Sequence, residues 1–422
     1  MAINAVLENQ QKKEKQIAVI SGEYINYYIP NMNPTELQDI IKVGETSRVQ
    51  FKRELGNQSK VAAEMIAFSN SNGGMLIFGV LDKTGEIAGL SYDELQKANN
   101  ELATIANELV KPLIYITTEA VIVDTPDGKK NVLVVHVEEG ISKPYKDLNG
   151  TIWLKQGADK RKVTDNAEIL RLLQSGGKFY ADKSEVPGTA EKDIDASLVS
   201  EYVKKIRGDL SDSDIALNRQ LFENLDIIKN EQLTLAGLLC FGKNPQKYEP
   251  AFCVKAISFF GNSIGGTEYR DSADITGTLQ DMFTESIAFF NRNLRHVQAG
   301  QNFNSTGILE ISKIALEELI QNALLHRDYT INASVRLMVF DNRIEIVSPG
   351  RLPNSLSVEK IKMGNAVTRN SLLASYCSKL MNYRGFGSGI TRAISNQPNT
   401  ELINDVEGEQ FIVRIPRATA SP

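Results

Sequence analysis

Two segments constrain the fold of this chain most: Glu317–Tyr329, which reads EELIQNALLHRDY, and the cluster Gly385-Phe386-Gly387-Ser388-Gly389. In the first, Leu316, Leu319, Ile320, Ala323 and Leu324 recur at the spacing of one helical stripe. Glu318 and Asn322 are four apart and project from a single face of that helix. A carboxylate and an amide oxygen so placed can share a water and a hard divalent cation. Between helix and glycines, Ala333–Phe340 alternates as a strand. Asp341-Asn342-Arg343 turns it back into Ile344–Val347, and Ser348-Pro349-Gly350-Arg351 ends the hairpin. Bare backbone N–H groups in the glycine cluster can approach phosphates. The helix and the glycine cluster together suggest a nucleotide site.

Composition bounds what the rest can be. A chain of 422 residues, 42% hydrophobic and 23% charged, suits two or three globular domains. The apolar runs are too short for a membrane span, and the polar N-terminus lacks a signal peptide's apolar core, so the expected location is cytoplasmic. Three widely spaced cysteines, Cys240, Cys253 and Cys377, match no zinc pattern and read as reduced core residues. His326 follows the Glu318/Asn322 helix, where end packing or a phosphate contact are both open. A net charge of −5 argues against a wholly basic surface. Nucleic acid would need a local patch, and residues 151–180 supply one, with six Lys/Arg against three acids. Its candidates are Lys155, Lys160, Arg161 and Lys162, joined by Lys52 and Arg53. No Walker A pattern is present, which argues against a helicase.

Residues 300–418 resemble a divergent GHKL-type ATPase domain. That resemblance implies ATP and Mg²⁺ as cofactors, Glu318 as the base that orients water, and Asn322 as the Mg²⁺ ligand. It places Ser348, Gly350, Gly385, Gly387 and Gly389 against the nucleotide. The family's Asp-x-Gly-x-Gly box is replaced here by Ser348-Pro349-Gly350-Arg351-Leu352, so the charged acceptor for adenine is missing, which argues against a vigorous ATPase.

Residues 36–175 resemble the Schlafen AlbA-type domain through three spaced motifs. These are Glu45 to Lys52, then Ala67-Phe68 through Val80 with Gly73-Gly74, then Thr151–Gly157. The helix Glu64–Asn70 reads as amphipathic. The resemblance implies binding of DNA or RNA. In cleaving members it implies a metal site whose matching positions are Glu45, Gln50 and Asp82. Gln50 is neutral, which weakens a hard-cation site and argues against a nuclease. If residues 49–54 form one strand, Glu54 falls on the side of Gln50 and could compensate.

The expected organisation is an extension (1–33), an α+β AlbA-type domain (34–180), a linker and mixed connector (181–300), and a GHKL-like α/β sandwich (301–422). The leading expectation is a nucleotide-modulated DNA-binding transcriptional regulator. The rivals are a metal-dependent nuclease acting on RNA or DNA, for instance in phage defence, and a self-assembling scaffold with vestigial sites. A homo-oligomer, at least a dimer, is expected, with the lid and the run Tyr24–Ile29 as contacts.

Overall fold

The computed structural model describes residues 18–20, 23–25, 32–82, 84–208, 217–298, 300, 307–353, 356–381, 383, 385 and 387–417. Residues 18–20 and 23–25 pair as a short antiparallel hairpin. The rest of the run expected to make contacts, Tyr27–Ile29, lies outside the described residues, as does Phe386 of the glycine cluster. The chain forms two compact units, one of residues 1–140 and 145–163, the other of 141–144 and 164–422.

The first unit runs α1 (Pro34–Val43), β1 (Val49–Lys52), α2 (Gln58–Asn70), β2 (Gly74–Phe78), α3 (Tyr92–Glu108), β3 (Ile116–Thr125), β4 (Gly128–Val137), β5 (Trp153–Gln156) and β6 (Asp159–Lys162). Helix α1 starts as its sequence dictates. Asn33 Oδ1 accepts from Glu36 N at 2.8 Å, and Pro34 takes the first helical position. The sheet order is β1-β2-β4-β3. Strands β1 and β2 are parallel, joined by the crossover α2, and the other pairs are antiparallel. Alternation sends Leu76, Phe78, Leu133 and Val135 into one core with α2 and α3. It sends Val49, Phe51, Ile77, Val132 and Val134 into the other with Leu37 and Ile41 of α1.

Helix α2 departs from its amphipathic reading: every residue from Val61 to Asn70 is buried, Glu64 included. The sheet covers one side, and the hairpin β5–β6 packs on the helix as well. Asn70 explains how the hairpin is held. Its Nδ2 donates to Tyr145 O at 2.8 Å and Trp153 O at 3.0 Å, and its Oδ1 accepts from Tyr145 N at 2.8 Å. A buried amide with these partners meets nearly all its bonding capacity.

The second unit contains α4 (Asn166–Ser175), α5 (Ala196–Arg207), α6 (Arg219–Asn224), α7 (Leu235–Phe241), β7 (Val254–Phe259), β8 (Tyr269–Ile275) and α8 (Leu279–Asn293). It continues through α9 (Lys313–Leu325), β9 (Val335–Val339), β10 (Arg343–Pro349), α10 (Val358–Lys362), α11 (Ser371–Leu380), α12 (Ser388–Asn396), β11 (Glu401–Asp405) and β12 (Gln410–Pro416). Six strands pair in the order β8-β7-β9-β10-β12-β11, with only β7–β9 parallel. Leu337, Val339, Ile344 and Ile346 face the helices, while Met338, Phe340 and Val347 build a small cluster on the other face. Strands and helices from the stretch 181–300 enter this same sheet and core, since Val254, Ala256, Leu239 and Phe290 pack with Leu316 and Leu337. The three cysteines are free and buried. Among the described residues no helix is long and apolar enough to cross a membrane.

Candidate functional site

Helix α9 buries Leu316, Leu319, Ile320, Ala323 and Leu324 and leaves Glu318 and Asn322 half-buried at its margin. There they line a cavity together with Ser348, Gly350, Gly385, Gly387 and Gly389. All seven nucleotide-site positions expected in this half of the chain therefore meet at one place. Asn322 Nδ2 donates to the α9 carbonyl of Glu318 at 2.7 Å, so the amide oxygen is the atom of this side chain chemically able to take a cation. Ser348 is buried at the end of β10 and donates its hydroxyl proton to Ala323 O at 2.9 Å, so it can only accept from a ligand. Gly350 has φ +97°, and a Cβ there would fall 2.4 Å from Asp328 Cβ.

The start of α12 closes the cavity. Gly387 caps it at φ +70°, and a Cβ there would fall 2.1 Å from Gly364 O. Gly387→Ala combines a left-handed strain of about 1–2 kcal/mol with that backbone overlap and is expected to weaken nucleotide binding about tenfold or more. Calorimetry showing wild-type affinity in this variant would remove α12 from the site.

Three arginines in the lining were missed by the sequence reading. Arg392 Nη1 pairs with Glu318 Oε1, and its Nη2 donates to Ser388 Oγ at 3.1 Å. Arg369 Nη2 donates to Arg351 O at 2.7 Å and its Nη1 to His326 O at 3.2 Å. Arg392 had a local signal, being four residues past Ser388 on one helix. Arg351 and Arg369 sit in irregular chain and had none. His326 Nε2 lies 2.9 Å from Tyr383 OH. Burial, and then the charge of Arg369, push the His326 pKa down to about 4, so the ring is neutral at pH 7. Among the described residues the lining thus carries three guanidiniums against one carboxylate, Glu318.

In the first unit the expected metal positions are differently employed. Glu45 Oε1 accepts from Phe51 N at 2.8 Å and from Gln50 Nε2. Asp82 pairs with Lys52 at 3.3 Å. Strand β1 ends at Lys52, so its alternation does not reach Glu54. Besides Glu45, the acid that shares the surroundings of Gln50 is Glu64 of α2, through Lys155. The expected basic patch is partly consumed. Lys155 and Lys160, opposite each other in the β5–β6 hairpin, both pair with buried Glu64, at 3.5 and 2.6 Å. Arg53 Nη1 donates to Gly89 O at 2.9 Å. Lys162 is exposed and lies 5.5 Å over the Trp153 ring. Arg161 is half-buried and has a partner of its own.

Residues 45–164 match the family model "Schlafen, AlbA_2". Residues 332–410 match HATPase_c_4, described as "Putative ATP-dependent DNA helicase recG C-terminal". This chain joins a Schlafen AlbA_2 domain to an HATPase_c_4 domain. The AlbA_2 match begins at Glu45 and takes in Gln50, Asp82 and the β5–β6 hairpin. The HATPase_c_4 match takes in Ser348, Gly350 and the Gly385–Gly389 cluster, and starts after Glu318 and Asn322. The chain is 30% identical over 139 residues to the uncharacterized ATP-binding protein UU034 of Ureaplasma parvum serovar 3. That alignment spans 32% of this chain and only 37% of the relative. The crystal structure of the DIP2311 protein from Corynebacterium diphtheriae superposes with a TM-score of 0.44 and 18% identity, over 91% of this chain and 80% of that one.

Proposed function

We propose that this chain is a nucleic-acid-binding regulator whose HATPase_c_4 domain binds ATP with Mg²⁺. The observation that carries the nucleotide half is the gathering of Glu318, Asn322, Ser348 and the three cluster glycines in one cavity with Arg351, Arg369 and Arg392. An excess of guanidinium charge in a half-enclosed site suits a polyphosphate. The relative named as ATP-binding supports the same reading. The Asn322 amide oxygen is a hard donor that fits Mg²⁺, and the ion would supply charge neutralisation along the phosphates. Glu318 is placed to hold a water, but Arg392 holds its carboxylate, so turnover requires that pair to open. Calorimetry with ATP, with and without Mg²⁺, tests the reading, and no heat of binding from ATP, ADP or GTP removes it.

The nucleic-acid half rests on the AlbA_2 domain and on the outer cations of its β5–β6 hairpin. Lys160 is a poor probe of that face, because reversing it would set a carboxylate against buried Glu64. The informative pair is Arg161→Glu with Lys162→Glu. Their reversal is expected to weaken DNA and RNA binding across all sequences and to reduce the salt slope by about 2, roughly one per phosphate contact. Filter binding at several salt concentrations checks this, and an unchanged slope would mean a merely solvated face.

A further inference from the structure

Lys155 is the least expected charge in the first unit. Its side chain is only 1% exposed, yet it carries an ammonium. That ammonium lies 3.0 Å from Gln50 Oε1, 3.5 Å from Glu64 Oε2 and 2.5 Å from Ala158 O, with the Phe68 ring centroid at 4.9 Å. Its three protons thus meet three oxygens, and its remaining side meets an aromatic ring. Gln50 in turn donates to Glu45, and Glu64 takes a second ammonium from Lys160. The group contains two carboxylates, Glu45 and Glu64, and two ammoniums, Lys155 and Lys160, so it is already neutral.

A divalent metal does not fit this donor set. Gln50 Oε1 and one Glu64 oxygen face Lys155, and the other Glu64 oxygen is taken by Lys160. A metal reaching these atoms would stand in contact with a buried like charge. Asp82, the third position implied for a metal, is paired with Lys52. Burial works against the charge of Lys155, while Glu64 favours it. The ammonium is held by its oxygens and is not a surface charge that could swing away.

We infer that the Lys155 ammonium is the resident cation of the AlbA_2 domain, seated among Gln50, Glu64 and Ala158 between the oxygens that a divalent ion would use, and that it closes this domain to metal-dependent phosphodiester cleavage. Gln50 belongs to the same device. A carboxylate there would add a charge that the two lysines do not balance.

Terbium luminescence tests the inference, because the ion seeks hard oxygen donors and Trp153, the chain's single tryptophan, lies two residues from Lys155. The probe is Tb³⁺ alone, added to the full-length protein and excited in the tryptophan band. Wild type and Gln50→Glu are expected to give no saturable signal that Mg²⁺ or Mn²⁺ displaces. The double variant Gln50→Glu with Lys155→Met presents Glu45, Glu64 and a new carboxylate without the ammonium, and is expected to raise the sensitised signal at least ~10-fold, displaceable by Mn²⁺. A displaceable signal in wild type or Gln50→Glu overturns the inference. So does a double variant that keeps its circular dichroism and melting transition but gains no signal. Should the double variant not fold, the other two proteins decide alone: silence in both supports the resident cation, and a displaceable signal in either overturns it. None of these outcomes depends on nucleotide or nucleic-acid binding.

Discussion

Asn322→Ala is expected to lower the affinity for Mg²⁺–ATP about 100-fold, whereas Glu318→Ala is expected to keep ATP bound and to abolish any hydrolysis. The two residues differ in what they offer. Asn322 Nδ2 is committed to the Glu318 carbonyl, which presents the amide oxygen as a ligand; Gln321, the other α9 amide in the lining, donates its Nε2 to Met381 O at 2.8 Å. Removing a first ligand of a hard cation costs at least as much as the 10- to 100-fold of an outer-shell partner, hence the estimate of ~100-fold. Glu318 is paired with Arg392. Its truncation frees a guanidinium for the phosphates, so affinity is held or improved while the group that would orient water is gone. Calorimetry and a phosphate-release assay on the two variants decide between them. Equal affinity in wild type and Asn322→Ala would remove Asn322 from the metal role.

The second large effect concerns acid. His326 has an ordinary pKa of 6.5 and is held at about 4 in the fold, by burial first and by Arg369 second. The unfolded chain takes up a proton below 6.5 and the folded chain refuses it until about 4. Stability from this group is therefore complete above the ordinary value and is lost as pH falls. At ~1.4 kcal/mol per unit the loss is about 2 kcal/mol at pH 5 and about 3 kcal/mol at pH 4. Asp182 acts in the opposite direction. Burial raises its carboxyl, although its oxygen accepts from Leu372 N at 2.7 Å and Leu373 N at 3.0 Å. Comparison with His326→Gln cancels that term. Urea unfolding of wild type should weaken between pH 7 and pH 5 by about 2 kcal/mol more than unfolding of His326→Gln. Parallel pH profiles for the two proteins would show that His326 is not held neutral.

The periodic part of this molecule was legible in its residues. The stripe on α9, with Glu318 and Asn322 four apart, needs only the helical repeat; the helix forms over Lys313–Leu325, so it holds the whole stripe but starts and ends four residues before the segment Glu317–Tyr329. The strands β9 and β10 are set by their alternation, and α1 by Asn33-Pro34. The three AlbA-type motifs and the glycine cluster identified both domains, because each motif carries its chemistry in a short run of chain. Ser348, Gly350 and the cluster glycines could be assigned to one site for the same reason.

What those patterns could not contain was the partner of each charge. A strand through 49–54 would have put Glu54 on the side of Gln50, but β1 stops at Lys52, and Glu64 arrives from a helix that is buried from Val61 to Asn70. Lys155 and Lys160 read as a phosphate patch. The hairpin instead sets both against Glu64, more than ninety positions away in the chain. Arg392 reaches Glu318 across 74 positions. Local periodicity is decided by backbone geometry within one element, so a sequence carries it openly. Pairing of buried charges is decided by sheet order, by the crossover that brings α2 under the hairpin, and by the cost of leaving any ion there unpaired. The residues alone therefore determined the elements, the two domain types and the candidate nucleotide site. Only the tertiary structure decided which cations remain open to a ligand and which are already held by the protein's own carboxylates.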